Sequence, residues 1–219
     1  MNMKKLMNML MGAGLLMLGS CNQAPVTETA EPAPVNKADV VIENMMTRAS
    51  VRSFTAEPVS RETLQTIIRA GLQAPSAMNK QDWEVRIVDS QDKINAICDI
   101  MKKGNPNAQD RFPGKNSFGN AAALILIANE VADGPVSFSQ IDAALLAENI
   151  VLAAHAMGLG ACIQAGPLRS MTEGAEAQAW LKSLGFSDNY QPMLVIPMGY
   201  PDQEATPGER DTSKAKFVE

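Results

Sequence analysis

Apolar residues fall in blocks along the chain, and the period of each block predicts an element. Residues 6–18 form an apolar run, whereas residues 22–38 carry three prolines and no large apolar side chain except valine. From Asp39 onward, helical and extended patterns alternate. Asp39 to Met46 predicts a short helix. Ser60 to Leu72 predicts a stronger one, with Ser60 as N-cap and Leu64, Ile67, Ile68 and Leu72 on one stripe. Trp83 to Val88 reads as a strand, and Gln91 to Lys102 as a helix with Ile94, Ile97 and Met101 at helical spacing. The run AAALILIA from Ala121 to Ala128 has no polar position, as expected of a strand covered on both faces. Ser139 to Met157 predicts the longest helix, apolar on most sides and suited to the centre of the domain or to a subunit interface. Thr172 to Leu184 predicts a further helix, and Met193 to Met198 a strand leading into Gly199-Tyr200-Pro201. The sum is one α/β-type, three-layer domain with a largely buried sheet.

Composition separates the first residues from the rest. A chain of 219 residues, 46% apolar and with three cysteines, can build one medium-sized core; it is neither a disordered chain nor a disulfide scaffold. Six of its 14 methionines, however, lie in the first 17 residues, together with Lys4, Lys5 and no acid. A basic start, a 13-residue apolar run too short to span a bilayer, and the small residues Gly19-Ser20 make up an export signal. Leu18-Gly19-Ser20-Cys21 resembles the bacterial lipobox, in which the cysteine becomes the lipid-bearing N-terminus. The expected boundaries are therefore a signal over 1–20, a lipid-attached flexible spacer over 21–38 and a folded domain over 39–219. Acylated Cys21 would tether the protein to a membrane outside the cytoplasm.

Charge narrows the partners. Cleavage after residue 20 removes two of the 19 basic residues and none of the 24 acidic ones, leaving a net −7. So acidic a chain argues against nucleic acid as a partner. Cys98 and Cys162 each lie in an apolar segment, where a pair in an oxidising compartment and two buried thiols are both open, the second being commoner. His155, the single histidine, lies in the long helix pattern and supports no histidine-based metal site.

Three polar spots interrupt the pattern. The first is Thr47-Arg48-Ala49-Ser50-Val51-Arg52-Ser53-Phe54, where two guanidinium groups flank a hydroxyl, a set suited either to a phosphate dianion or to a solvated basic turn. The second is the turn Ala74-Pro75-Ser76-Ala77-Met78-Asn79-Lys80-Gln81-Asp82-Trp83. The third, Gly158-Leu159-Gly160-Ala161-Cys162-Ile163-Gln164-Ala165-Gly166-Pro167, ends the long helix and runs extended into a turn. None is specific alone.

Their order and spacing, with Gly199-Tyr200-Pro201 and Arg210, resemble the FMN-dependent nitroreductase family from about Asp39 to the C-terminus. The resemblance implies a mainly antiparallel central sheet flanked by helices, a homodimer, and FMN as cofactor. It implies that Arg48, Ala49, Ser50 and Arg52 hold the phosphate and ribityl chain, with Arg210 closing the phosphate clamp. It places Pro75, Ser76, Ala77 and Asn79 across the flavin of the other subunit, and Gln164, Ala165 and Gly166 along the flavin ring, one backbone N–H aimed at N5 or O4. The ring itself supplies the hydride chemistry, so no protein nucleophile or acid/base pair is required. Three positions depart from the family pattern: Ala49, Asp82, and Gly208-Glu209-Arg210, where Glu209 adds an anion that is expected to face solvent. The implied activity is an oxidoreductase with an NAD(P)H-type donor and a planar acceptor such as a nitroaromatic or quinone. Because NAD(P)H is a cytoplasmic reductant, an exported flavin-binding module without turnover is the alternative, and a cofactor-free lipoprotein that kept the scaffold is a third reading. The Gly104 to Asn120 segment, with Phe112 and Phe118, is expected to form a wall or lid over the ring, or else a plain surface loop.

Overall fold

The computed structural model describes residues 36–104, 113–131 and 138–218. The proposed signal, Cys21, the spacer up to residue 35, and Phe112 lie outside them. Among the described residues no helix is long and apolar enough to cross a membrane.

Among the described residues, six helices and four strands follow in the order α1 (Lys37–Thr47), α2 (Arg61–Gly71), β1 (Trp83–Val88), α3 (Gln91–Gly104), β2 (Ala123–Glu130), α4 (Phe138–Ala156), β3 (Gly160–Ala161), α5 (Gly166–Thr172), α6 (Ala175–Lys182) and β4 (Tyr190–Gly199), with short 3-10 turns at Ala77–Asn79 and Thr212–Lys214. The sheet order is β1-β2-β4-β3 and every neighbouring pair is antiparallel. Caps set the helix starts. The side chain of Asn36 accepts from the Ala38 N–H, and that of Ser60 from the Thr63 N–H, as its sequence position predicts.

Strand β2 lies between β1 and β4, and its first seven residues are all buried. Alternate side chains serve two cores. Ala123, Ile125 and Ile127 face Leu64, Ile67, Leu146 and Ile150 of α2 and α4, while Leu124 and Leu126 face Ile94 and Ile97 of α3, with Leu168, Met171 and Trp180 of α5 and α6 in the same cluster. Helices therefore cover both faces, and the unbroken apolar run reflects that double coverage. Helix α4 packs so closely on α2 that a Cβ at Gly71 would lie 2.4 Å from Ile150 Cγ1.

Two expectations need correction. The helix expected from Thr172 to Leu184 begins only at Ala175, after Gly174 at φ 87°, and a separate helix, α5, precedes it, with Pro167 in its first turn, where the missing N–H costs nothing. Gly166 is accordingly the first residue of α5 and no longer extended. Phe118, expected on a wall or lid, is only 1% exposed and packs in the core with Phe54, Ile94 and Ile97. Its turn is drawn inward by Asn116, whose Oδ1 accepts from the backbone N–H of both Phe118 and Asn120.

The two described cysteines, Cys98 and Cys162, are free and buried; burial pushes the Cys98 thiol above its ordinary range.

Candidate active site

Three of the four sequence motifs meet at the β3 edge of the sheet. Ser50 bridges Ala161 of β3 in parallel, and the Val51 N–H donates to the Ala161 carbonyl at 3.0 Å. Phe54 bridges Pro201 just beyond β4, and the Thr55 N–H donates to the Tyr200 carbonyl at 2.9 Å. Gln164 pairs with Val195 of β4 through two backbone bonds of 3.0 and 2.9 Å. The opening segment thus continues the sheet beside β3, which lies beside β4. Gly160 makes the approach possible, since a Cβ there would stand 2.6 Å from Val51 Cβ. A hollow of about 230 Å³ remains where these segments meet, lined among others by Thr47, Ala49, His155, Gly160 and Pro201.

Arg48 sits at the end of α1, its backbone N–H closing the helix on the Asn44 carbonyl. Its Nε is buried and has no hydrogen-bond partner. The nearest acid is Glu148 of α4, with Oε1 3.5 Å from Nε, an ion pair but not a hydrogen bond; the Glu148 side chain is 47% exposed. A buried guanidinium nitrogen left without an acceptor is a position that an anionic oxygen would complete, so the residues fit a phosphate-bearing cofactor such as FMN. Arg52 is half-buried and its Nη1 lies 3.4 Å from the Ser50 carbonyl, which keeps it on the same segment. His155, in the last turn of α4, is half-exposed, with Nε2 2.9 Å from Thr47 Oγ1; it braces the α1 terminus beside Arg48.

The fourth motif is placed by α4. The turn carrying Ser76, Ala77 and Asn79 rests on Asp142, one of three buried polar side chains among the described residues; both carboxylate oxygens accept from the Ala77 N–H, at 3.1 and 3.0 Å. Pro75 and Asn79 are exposed, and Ser76 and Ala77 half-buried. Asp142 and Glu148 stand six residues apart on one helix, roughly 9 Å of rise. A single element thus carries the contacts to both Arg48 and the turn.

The remaining sites divide. The Gln164 N–H is committed to Val195, which leaves Ala165 and Gly166, both exposed, as the backbone donors of that segment. Arg210 is exposed and its Nη1 donates to the carbonyls of Gly208 and Glu209, so its guanidinium closes on its own turn rather than on the opening segment. Glu209 is exposed, as expected. The sequence reading passed over Asp142 and Glu148. The only signal was their charge inside an otherwise apolar helix pattern.

Outside the site, α1 buries none of its side chains and exposes Val41, Met45 and Met46, while α4 exposes Phe138, Ile141 and Leu145 on one stripe. The two helices are in contact, and Asn44 Nδ2 donates to the Leu152 carbonyl at 3.1 Å.

Comparison with known proteins agrees with this arrangement. The nitroreductase family model matches residues 45–200. An NADPH-flavin oxidoreductase from Vibrio harveyi is 31% identical over 177 residues, covering 74% of this chain and 66% of that protein. The crystal structure of a nitroreductase with bound FMN from Desulfitobacterium hafniense superposes with a TM-score of 0.72 at 25% identity, over 82% of this chain and 98% of that one. An FMN-dependent nitroreductase from Clostridium difficile gives 0.64 at 27% identity, over 81% and 99%.

Proposed function

The chain belongs to the nitroreductase family of FMN-dependent oxidoreductases, and from that premise we propose that it is an exported, lipid-tethered homodimer that passes electrons from an NAD(P)H-type donor to a planar nitroaromatic or quinone. One observation carries the reading: the opening segment, β3 and the residues after β4 converge on one edge of the sheet, with the Nε of Arg48 buried there without a hydrogen-bond partner. Bound FMN would supply the hydride chemistry at its N5 position.

The chain's own residues bind and orient. Arg48 and Arg52 would hold the phosphate through charge-assisted hydrogen bonds, and the Ser50 hydroxyl would add a neutral one. Ala165 and Gly166 offer backbone N–H groups to the polar edge of the ring, where a fixed donor favours the more electron-rich reduced form. Arg210 completes the clamp only by releasing the two carbonyls it now holds. A second copy of the chain fits the apolar stripe of Phe138, Ile141 and Leu145 beside the exposed face of α1. Such a dimer would bring the Ser76 to Asn79 turn of one subunit to the flavin of the other. The tether rests on Leu18-Gly19-Ser20-Cys21. Labelled palmitate should enter the full chain expressed in a bacterium, and the Cys21→Ser variant should not take it up.

The activity is tested anaerobically. The purified dimer, loaded with FMN, should bleach with NADH or NADPH and recover its absorbance on adding menadione or a nitroarene. Flavin that stays oxidised with every donor would favour the exported flavin-binding module, a reading that the export signal encourages because NAD(P)H is a cytoplasmic reductant. A protein that takes up no FMN would overturn both.

A further inference from the structure

Asp142 has no part in the chemistry described so far, and its environment asks for an explanation. It lies in the second turn of α4, 4% exposed, and is the one charged side chain among the buried residues of that helix, which are apolar except for Ser139. Burying a carboxylate is costly unless its oxygens are satisfied, and both oxygens here address a single donor, the Ala77 N–H. Proximity to the α4 N-terminus eases the charge but does not account for the contact.

What the carboxylate holds is an unusual turn. Met78, Asn79 and Gln81 all have positive φ, at 54°, 54° and 56°, a conformation that side-chain-bearing residues adopt at a cost and that persists where the surroundings enforce it. The turn is closed internally: the Asn79 N–H donates to the Ser76 carbonyl, Lys80 N–H to the Ala77 carbonyl, and Gln81 N–H to Ser76 Oγ. Among the described residues, the bonds to Asp142 are the only hydrogen bonds from residues 76–80 to another element. Without them no hydrogen bond ties the turn to the rest of the fold, and its strained backbone is free to open.

We infer that Asp142 is a positioning residue for cofactor binding: its carboxylate, buried in α4, accepts the Ala77 N–H and thereby fixes where Ser76 and Asn79 stand over the flavin. The inference rests on the reading of that turn as a cofactor wall. The same helix carries Glu148 against Arg48, so each α4 would serve the phosphate end of its own subunit's site and the wall of the partner's.

The test compares Asp142→Ala, Asp142→Asn and the double variant Ser76→Ala/Asn79→Ala in the mature chain. Three readouts are taken: hydrogen exchange of residues 74–82 without cofactor, the Kd for added FMN, and the visible circular dichroism of bound flavin. Asp142→Ala should lose protection across the turn, raise the Kd by about tenfold to a hundredfold, on the scale of a buried hydrogen bond to a charged acceptor, and change the flavin dichroism. Asp142→Asn keeps an acceptor oxygen and should restore most of each. Protection retained in Asp142→Ala, or Asp142→Asn as damaging as Asp142→Ala, overturns the inference. If Ser76→Ala/Asn79→Ala weakens FMN while Asp142→Ala leaves Kd and dichroism unchanged, the inference fails alone. If none of the three variants moves Kd or dichroism, the reading of the turn as a cofactor wall fails with it.

Discussion

Replacing Arg48 by alanine is the most direct test of where the phosphate sits, because the structure separates its effect on binding from its effect on folding. In the cofactor-free chain Arg48 touches one acid, Glu148, at 3.5 Å and without hydrogen-bond geometry, and that acid is 47% exposed. Exposed or half-exposed pairs of this kind contribute about 0–1 kcal/mol, so the apo protein should lose little stability. Binding should suffer far more, since truncating one partner of a desolvated, hydrogen-bonded charge pair costs about 2–4 kcal/mol, or roughly 30- to 900-fold in Kd. The variant also leaves Glu148 facing the phosphate without its neutralising partner. Glu148→Gln should then tighten FMN binding in the Arg48→Ala background by more than it does in the parent. The assay is FMN fluorescence quenching on apo protein at two salt concentrations, with urea unfolding of the same samples. If Arg48→Ala binds FMN as the parent does, the phosphate lies elsewhere. If it loses binding only in proportion to lost stability, Arg48 is a structural residue.

Further outcomes follow from the packing and the charges. Gly160→Val places a side chain where Val51 already stands 2.6 Å from a Cβ, so overpacking should cost about 1–3 kcal/mol in urea unfolding and lower the FMN content as the opening segment leaves β3. Leu145→Asp puts a charge in the exposed stripe of α4; light scattering should show a monomer, and that monomer should hold no flavin. Asp202 is held below the usual carboxylate range by its hydrogen bond with Lys115, which also donates to the Phe54 carbonyl at 2.7 Å. Because the folded value is depressed, this contribution is complete above the unfolded value of about 3.9 and disappears as the pH falls through the folded one. Asp202→Asn should therefore be less stable than the parent at pH 6, with the difference closing as the pH falls below about 3.9; a gap independent of pH would refute the assignment.

The fold was legible where one period dominated. The stripe of α2 is buried at Leu64, Ile67 and Ile68, though Leu72, the C-cap, is exposed; the alternation hidden in Ala121 to Ala128 places Ile125 and Leu126 in different cores, as it requires. Strand direction was not in the period. A strand covered on both faces looks alike in parallel and antiparallel sheets, so the antiparallel pairing came from family resemblance. Helix α5 is not visible in the spacing because it lies in the Gly- and Pro-bearing segment before Thr172, and the late start of α6 follows from Gly174, whose positive φ is invisible to a count of apolar positions. The Gly- and Asn-rich neighbours of Phe118 suggest a wall or lid over the ring, or else a plain surface loop. Those same neighbours turn the chain inward and bury it.

The site divides along a similar line. Motif residues close together in sequence, such as Arg48 to Arg52, are legible as a group, and the bridges to Ala161 and Pro201 place their segment on one edge of the sheet. Arg210 was expected at the clamp, yet its guanidinium lies on its own turn, since a local carbonyl at two residues' distance competes well for an exposed donor that has no anion to meet. Asp142 and Glu148 were missed for the opposite reason. A helix apolar on most sides invites the reading that its few charges are solvated, and spacing cannot tell a charge on the open face from one turned inward. The distinguishing fact is a single backbone N–H, that of Ala77, brought from 65 residues earlier in the chain. A polar residue retained inside an apolar helix therefore points to the segment that needs it, and here that segment is the turn whose backbone is least able to hold its own position.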